Sequence, residues 1–290
     1  MIRKTIFTLF LCACISYGYG QDGNYVYQTF KDTRVINSHS TEILPKRKLD
    51  MRIGHRFGDF AGDVGGWNNF YGLENASDVL IGLEYGVTDN FMVGINRTKG
   101  SGPLRQLVNG FFKYRLLRQS TSGGAPVSLA VAGIATASTA QAASTENLLN
   151  TFSEFAHRMS YTGEVIISRK FGDAFSLQVH GGIQHRNLVD FNDENTMPFV
   201  GGAAKYQFSR MFGLIVDFTA PISDLRTSEN GYYPALGIGF EFDTGGGHVF
   251  QVNLTNATAL SENDFIPNTR TNWGDGQYRL GFTISRWFNL

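Results

Sequence analysis

Hydrophobic and polar residues alternate along almost the whole chain after residue 48. In one such run, Leu236, Ile238 and Phe240 are separated by Gly237 and Gly239. Successive side chains of a β-strand point to opposite faces, so a period of two indicates strands with one apolar face. We count about twelve such runs of roughly 8–12 residues, and a tilted strand needs roughly 9–11 residues to cross a membrane.

Most connections between these runs are either tight or long, whereas 99–103 is short, 119–126 is somewhat longer than the tight turns and 189–198 is intermediate. Tight connections are predicted at 88–90, 172–174, 209–210 and 244–247. Long connections are predicted at about 58–77, 138–158, 220–233 and 256–276. Short turns at one end and longer loops at the other are typical of outer-membrane barrels. A different division of 104–137 or 256–277 would give ten or fourteen strands.

The two faces of the predicted strands favour a membrane barrel over a soluble one. The strands of a soluble β-sandwich or of a lipocalin-like barrel would also alternate apolar and polar residues. The period alone therefore does not distinguish a membrane barrel from a soluble β protein. The apolar face is bulky and aromatic in every run, which suits lipid, whereas the polar face carries charges of both signs, which suits a hydrated interior. We therefore predict an all-β fold, a single antiparallel up-and-down transmembrane β-barrel of about 12 strands over residues 49–290.

Composition agrees with a chain that faces lipid. Charged residues make up 17% of the sequence, against about 25% in soluble domains. The 25 basic and 25 acidic residues balance, and the lack of a basic excess argues against a nucleic-acid partner. The partner that this composition predicts is the lipid bilayer of the outer membrane.

The first twenty residues have the features of a secretory signal peptide. Arg3 and Lys4 precede an apolar stretch, and Gly18 and Gly20 are small residues suited to cleavage before Gln21. Both cysteines of the chain lie in this segment. Cleavage would therefore leave a processed protein without thiols, exported to the periplasm and from there to the outer membrane.

Residues 21–48 lack the strand alternation and are predicted to be a periplasmic N-terminal extension. Two alternatives remain open for this segment. It can be a lead-in outside the barrel, or a short plug inside the lumen. In the second case, its basic residues would meet acidic residues of the wall; the residues concerned are Lys46, Arg47 and Lys48 on the segment and Glu84, Glu164 and Glu241 on the wall.

The polar face predicts a charged lumen. Eight basic and five acidic residues lie on it: Arg52, Arg56, Lys113, Arg115, Lys170, Arg186, Lys205 and Arg279, with Asp50, Glu84, Glu164, Asp217 and Glu241. Charges in a narrow space are costly unless they pair, which favours a salt-bridge network across the lumen. The alternative is a pore with a mild preference for small anions, because a ring of one sign selects the other.

The chain offers no clear metal, cofactor or catalytic site. His180 and His185 fall on opposite faces of one strand, so they cannot bind one metal ion together. Asp190, Asp193 and Glu194 crowd one loop, where a solvated acidic loop is favoured over a calcium site. We therefore predict no cofactor and no metal.

The loop 138–158 predicts a short amphipathic helix. Leu148, Leu149, Phe152 and Phe155 fall at helical spacing. Such a helix would act as a lid over the barrel mouth or pack on its rim.

Several segments resemble an uncharacterised Gram-negative family, known as a membrane-bound β-barrel domain of unknown function. They include residues 34–42, 44–50, 53–59, 82–89 and 113–119, followed by 247–251 and 272–276. The resemblance implies location and architecture and carries no catalytic motif.

The chain ends in an aromatic-rich strand. Phe282, Ile284, Trp287 and Phe288 predict a signal for the barrel assembly machinery, which is the second expected partner. Members of the family tend to stop at a terminal aromatic residue, whereas this chain continues with Asn289 and Leu290.

The function predicted from these features is a narrow pore or transporter for small solutes, or a structural part of the outer membrane. Two alternatives belong to other classes. One is a membrane-embedded enzyme acting on lipids, which would need a Ser, His and acid cluster that the sequence does not place on one wall. The other is a surface-binding scaffold that uses loops 58–77 and 256–276. The oligomeric state is not predicted.

Overall fold

Twelve antiparallel strands close into one barrel, because the last strand pairs with the first. This computed structural model describes residues 25–144 and 148–290. The strands are β1 (Lys48–Phe57), β2 (Ala76–Gly86), β3 (Phe91–Thr98), β4 (Leu107–Leu117), β5 (Ser128–Ser138), β6 (Met159–Phe171), β7 (Phe175–Arg186), β8 (Thr196–Gln207), β9 (Phe212–Pro221), β10 (Ala235–Asp243), β11 (His248–Thr255) and β12 (Arg279–Asn289). The antiparallel barrel and the strand number predicted from the alternation are confirmed.

The barrel has a short-turn end and a long-loop end. The β2–β3, β6–β7 and β10–β11 turns lie at the short-turn end, and the β5–β6 and β11–β12 connections lie at the long-loop end. One α-helix, α1 (Glu262–Asn268), belongs to the β11–β12 connection. Among the described residues, no helix is long and apolar enough to cross a membrane. The predicted signal peptide, residues 1–20, lies outside the described part of the chain.

Strand register determines which side chains face the lumen. Asp50 pairs with Glu84 on β2 and with Trp287 on β12, while Arg52 pairs with Ser285. Directly paired residues of antiparallel strands share a face, so all five of these side chains point inward. A slip of one residue would move the charges of β1 to the lipid side.

The outward face of the barrel is apolar and exposed. Ile81 is 57% exposed and Phe112 is 46% exposed, although both are large apolar residues. Aromatic rings gather near the short-turn end, where the ring of Phe212 lies 5.8 Å from that of Phe208 and 5.2 Å from that of Phe240. Such a band suits a hydrocarbon environment, with rings at the membrane interface.

Two chain segments fill the lumen. The first, here called the plug, is residues 29–44, and all of it except Glu42 is buried. The second, here called the insert, is residues 256–269, which contain α1 and are buried except at Thr258 and Asn268. The insert was predicted as part of an external loop, but it turns back into the barrel, where Phe265 and Ile266 of α1 pack with Phe199 of β8.

The β5–β6 loop does not form the predicted amphipathic helix. It contains two short 3-10 helices, Leu149–Thr151 and Phe155–Arg158. The chain breaks between them at Phe152, which has a φ of +48°. Asn, Thr, Phe and Ser follow one another at 150–153, and these residue types favour helices less than Leu or Ala do.

The four candidate residues of that loop therefore do not share one face. Phe152 is buried, and the Arg158 guanidinium lies 4.1 Å from the centre of its ring. Leu148 and Phe155 are exposed, and Leu149 borders a small cavity at the long-loop end. This arrangement is a rim contact with two unpacked apolar side chains rather than one lid surface.

The last strand divides the predicted assembly signal between two faces. Phe282, Ile284 and Phe288 alternate outward along β12, whereas Trp287 points inward and packs against an apolar cluster that includes Ile43 of the plug. The four residues therefore do not form one continuous lipid-facing patch.

Candidate functional site

The predicted lumen charges all occupy inward positions of the strands. Ten of the thirteen are buried: Asp50, Arg52, Arg56, Glu84, Lys113, Arg115, Glu164, Lys205, Asp217 and Glu241. Lys170, Arg186 and Arg279 are half-buried. Arg52, Arg56, Lys113 and Lys205 are among the largest fully buried side chains of the described chain. The lumen is therefore packed with charge rather than lined by a ring of solvated side chains.

Arg52 is the centre of one cluster that joins the wall to the plug. Its guanidinium donates to Asp32 of the plug at 2.8 Å and to Glu84 of β2 at 2.9 Å. Asp50 lies 3.3 Å away on the same strand. The Thr33 hydroxyl accepts from Arg52 and donates to Glu84, both at 2.8 Å. One buried arginine thus contacts carboxylates of two wall strands and of the plug.

Other basic residues hold backbone carbonyls of the two inserted segments. Lys113 Nζ donates to the carbonyls of Thr33 at 2.8 Å and Ser40 at 3.0 Å. Arg56 donates to the carbonyls of Ala257, at 2.8 Å, and Ala259 of the insert. Irregular backbone at membrane depth needs such donors, because lipid offers none.

The plug and the insert contact each other through a buried ion pair. Arg34 of the plug lies 2.8 Å from Glu262 of α1, and its guanidinium is 3.1 Å from His39 Nε2. Burial lowers the pKa of His39 well below its ordinary value, and the charge of Arg34 lowers it further. His39 is therefore neutral at physiological pH, and the arginine alone compensates Glu262.

On one side of the barrel, the insert is anchored to the wall by neutral groups. The Asn263 amide donates to Thr136 at 2.6 Å and accepts from Thr162 at 2.5 Å. The Gln184 amide donates to the Asn263 carbonyl at 2.8 Å. These bonds reach three neighbouring strands, β5, β6 and β7, so the insert is tied to one side of the barrel.

Asp264 ties the insert to the β3–β4 loop. Its carboxylate accepts from the backbone N–H groups of Ser101, at 2.8 Å, and Gly102, at 3.2 Å. Burial raises the pKa of Asp264 to about 6, because these hydrogen bonds compensate the lost hydration only in part.

The acidic β7–β8 loop binds arginines. Asp193 lies 2.7 Å from Arg226 and 3.2 Å from Arg186. Burial acts to raise the pKa of Asp193, but the hydrogen bond from Arg226 and the charge of Arg186 outweigh it and lower the pKa. Within residues 25–144 and 148–290, no three His, Cys, Asp or Glu side chains come together as a metal site.

The plug leaves space around itself at the short-turn end. Three cavities of about 760, 290 and 230 Å³ all border Tyr27, Gln28 and Lys31, the residues where the chain enters the barrel. The largest, here called the vestibule, lies between these residues and the β6–β7, β8–β9 and β10–β11 turns. At the long-loop end, the small cavity beside the insert has a volume of only about 40 Å³.

The vestibule has more basic than acidic residues around it. Lys31, Lys170, Lys205 and Arg210 border it, together with Asp173 and Asp243. Lys205 and Glu241, both predicted for the lumen, form an ion pair at 3.6 Å beside it. Two predicted lumen lysines and one plug lysine are thus gathered at a single cavity.

The lipid-facing side has a groove of different chemistry. It lies between Phe112 and Ile183, has a volume of about 560 Å³, and contains His185. None of the described residues that line it is a serine or a carboxylate. The groove therefore lacks the nucleophile and acid that a lipid-acting enzyme of the predicted kind would use.

The N-terminal segment contacts the lumen through residues other than the basic ones that the sequence suggested. Lys46 and Arg47 are exposed at the short-turn end, whereas Asp32, Thr33 and Arg34 make the contacts inside. Lys31, Asp32 and Arg34 form a charged group in a mostly uncharged segment, but nothing in the local sequence indicates that they enter the lumen.

Comparison with solved structures finds porins and an outer membrane channel at low sequence identity. The NanC porin shares 9% identity over 83% of this chain and 100% of that chain, with a TM-score of 0.48. The KdgM porin shares 8% identity over 83% and 99%, with a TM-score of 0.49. The COG4313 outer membrane channel from Pseudomonas putida F1 shares 14% identity over 86% and 98%, with a TM-score of 0.47.

Sequence comparison identifies the family. No curated protein matches the chain. The profile of the family described as "Membrane bound beta barrel domain (DUF5777)" matches residues 30–288, which include the plug except Thr29, the insert, and the barrel wall except Asn289. The chain therefore belongs to this family of membrane-bound β-barrel domains.

Proposed function

We propose that this protein is an outer-membrane channel for small solutes that its own plug closes from the periplasmic side. The observation that carries the proposal is that residues 29–44 occupy a polar lumen and are held there largely by polar and charged contacts. We assign the short-turn end to the periplasm, as in outer-membrane barrels generally. The plug then enters and leaves through the periplasmic mouth.

The topology of the plug supports reversible exit. Tyr25, ahead of the plug, forms a bridge to Ser120 in the β4–β5 turn, and Lys48, behind it, begins β1. Both ends thus lie at the same mouth, so the plug can withdraw without threading the chain through the barrel.

The chemistry of the wall supports an open state. Barrels of more than about eight strands leave interior space that side chains alone do not fill. With the plug withdrawn, Lys113 and Arg52 would exchange plug oxygens for water, an exchange that costs little per hydrogen bond. On leaving, the plug would give up the apolar packing of five side chains, Phe30, Val35 and Ile36 in one cluster and Ile43 and Leu44 in another.

A reversible disulfide tests the proposal on the intact chain. The Thr41 and Ser168 hydroxyls are 2.5 Å apart, one on the plug and the other on β6, a separation compatible with a disulfide between cysteines at these positions. In the double variant Thr41→Cys/Ser168→Cys, bilayer recordings should show openings under reducing conditions and none after oxidation. The single variants, recorded under both conditions, are the matched controls.

A second variant lacks the plug altogether. Deletion of residues 29–44 should give a channel that stays open in either redox state. If the folded deletion variant conducts no ions, the channel function is wrong, and the filled lumen indicates a structural barrel instead. If the oxidised double-cysteine variant opens like the reduced one, the plug is not the gate.

A further inference from the structure

We propose that the vestibule binds a small multivalent anion that carries carboxylate or phosphate groups, with Lys31, Lys170 and Lys205 as the cationic contacts. This inference rests on the proposed function in one respect, because it names the class of solute that would reach the channel. Binding itself does not require the plug to move.

The size and position of the vestibule suit a small solute. Its volume of about 760 Å³ lies within the roughly 300–1,000 Å³ typical of ligand sites. It opens at the short-turn end and is bordered by the plug on one side and three turns on the other. A solute there would touch both the wall and the segment that closes the lumen.

The charge around the vestibule favours an anion. Four basic residues and two acidic ones border it, a local net charge of +2. The chain as a whole has a net charge of zero. The excess is therefore local, and a cleft of one sign with low-dielectric walls concentrates ions of the other sign.

Lys205 supplies a buried charge with unused hydrogen-bonding capacity. Its side chain is 1% exposed and borders the vestibule, yet its Nζ donates no hydrogen bond to any described residue. Its ion-pair partner, Glu241, is 3.6 Å away. An ammonium group has three donors, and burying it without acceptors is costly.

Lys113, another fully buried lysine of the lumen, has hydrogen-bond acceptors for its ammonium group, unlike Lys205. Its Nζ donates to two carbonyls of the plug. Lys31 donates to the Arg210 carbonyl at 2.6 Å, and Lys170 donates to the Tyr27 carbonyl at 3.2 Å. Lys31 and Lys170 each keep donors free. An oxyanion in the vestibule would therefore accept hydrogen bonds from these two lysines and from Lys205.

Calorimetric titration of the full chain in detergent micelles tests the site, with citrate and inorganic phosphate as probes and glycerol as the neutral control. A matched pair of variants isolates Lys205, because Glu241→Gln removes its competing carboxylate and Lys205→Gln/Glu241→Gln removes the lysine as well. We expect the single variant to bind citrate a few-fold more tightly and the double variant to bind about tenfold more weakly, which is the loss of one charge-assisted contact.

Two further variants guard against effects on folding. Lys170→Gln changes a half-buried residue and should weaken binding several-fold, whereas Lys46→Gln removes an exposed lysine that borders none of the three cavities and should leave affinity unchanged. Saturable binding of either anion with this order of affinities supports the site. The site is wrong if neither anion binds better than glycerol, or if Lys46→Gln weakens binding as much as Lys170→Gln.

The two proposals fail in different ways. Citrate binding that follows these variants, together with a plug-deleted barrel that does not conduct, would retain the vestibule site and reject the channel. Conduction without citrate or phosphate binding would retain the channel and reject the anion site.

Discussion

The plug and the insert fill the same lumen from opposite ends, but they do so with different chemistry. The plug contacts the wall through full charges, above all the Asp32–Arg52 pair, and leaves a vestibule of about 760 Å³ beside it. The insert contacts the wall through amides and hydroxyls around Asn263 and through an apolar cluster with Phe265, and its charged wall contacts, from Arg56 and Asp78, reach only its backbone. It leaves only a small cavity of about 40 Å³.

This difference indicates which segment is built to stay in place. Each segment buries five apolar side chains, so apolar burial alone does not separate them. Charged groups regain hydration when they separate, which favours release of the plug. The insert is fixed at both ends by β11 and β12, which are strands of the barrel wall. In the proposed channel, the insert would therefore be the permanent closure and the plug the movable one.

The largest effect is expected from removal of the central charge of the plug cluster. Arg52→Ala would leave Asp32, Asp50 and Glu84 buried without their cation, and breaking a buried ion pair from one side costs about 3–5 kcal/mol. The free energy of unfolding, measured by urea titration of the barrel in lipid bilayers, should fall by that amount.

Arg169 provides the control for this substitution. It is an exposed arginine on the outward face of β6, where it lies over the ring of Phe171. Arg169→Ala should change the free energy of unfolding by less than about 1 kcal/mol. Equal losses in the two variants would show that the buried cluster contributes nothing beyond an ordinary arginine.

A smaller, pH-dependent effect is expected at the insert. Burial raises the pKa of Asp264 from 3.8 to about 6, so the folded state binds a proton that the unfolded state releases. Its contribution to stability is complete below pH 3.8 and is lost as the pH rises to about 6. Over this pH range, the free energy of unfolding should fall by about 3 kcal/mol.

Comparison with Asp264→Asn isolates this contribution. The difference in free energy of unfolding between the two proteins should change between pH 4 and pH 6 and become constant above that range. The variant's stability should vary less steeply because it lacks the titrating group. A difference that stays constant from pH 4 to pH 7 would contradict a raised pKa at this position.

The same comparison shows what sequence reasoning can and cannot reach. The number of strands and the face on which each side chain lies follow from local geometry, since a period of two is a property of each strand alone. The alternation therefore suffices to place charges such as Arg52 and Asp217 on the inward face. The plug and the insert have no such period. Their positions depend on contacts distant in sequence, such as Arg34 with Glu262.

The errors have identifiable causes. The insert was expected outside because its connection is long, and the composition of this connection does not set it apart from the loop 138–158, which stays at the rim. Helical spacing alone predicted a helix around Phe152, where the local helix propensity is low. The contacts that place the insert in the lumen, such as that of Asn263 with Thr136, join residues far apart in the sequence.

The smallest effect is expected from replacing one threonine by valine, once in the plug and once at a wall contact of the insert. The Thr33 hydroxyl of the plug donates to the Glu84 carboxylate, whereas the Thr162 hydroxyl of β6 donates to the Asn263 amide oxygen of the insert. Hydrogen bonds to charged groups contribute about 1.5–3 kcal/mol and neutral ones about 0.5–1.5 kcal/mol. Thr→Val preserves shape, so Thr33→Val should destabilise the barrel by about 2 kcal/mol and Thr162→Val by about 1 kcal/mol.

Urea titrations of the two variants in the same bilayers measure the difference. If Thr162→Val costs more than Thr33→Val, the insert and not the plug carries the stronger polar contacts, and the division between a charged closure and a neutral one is wrong.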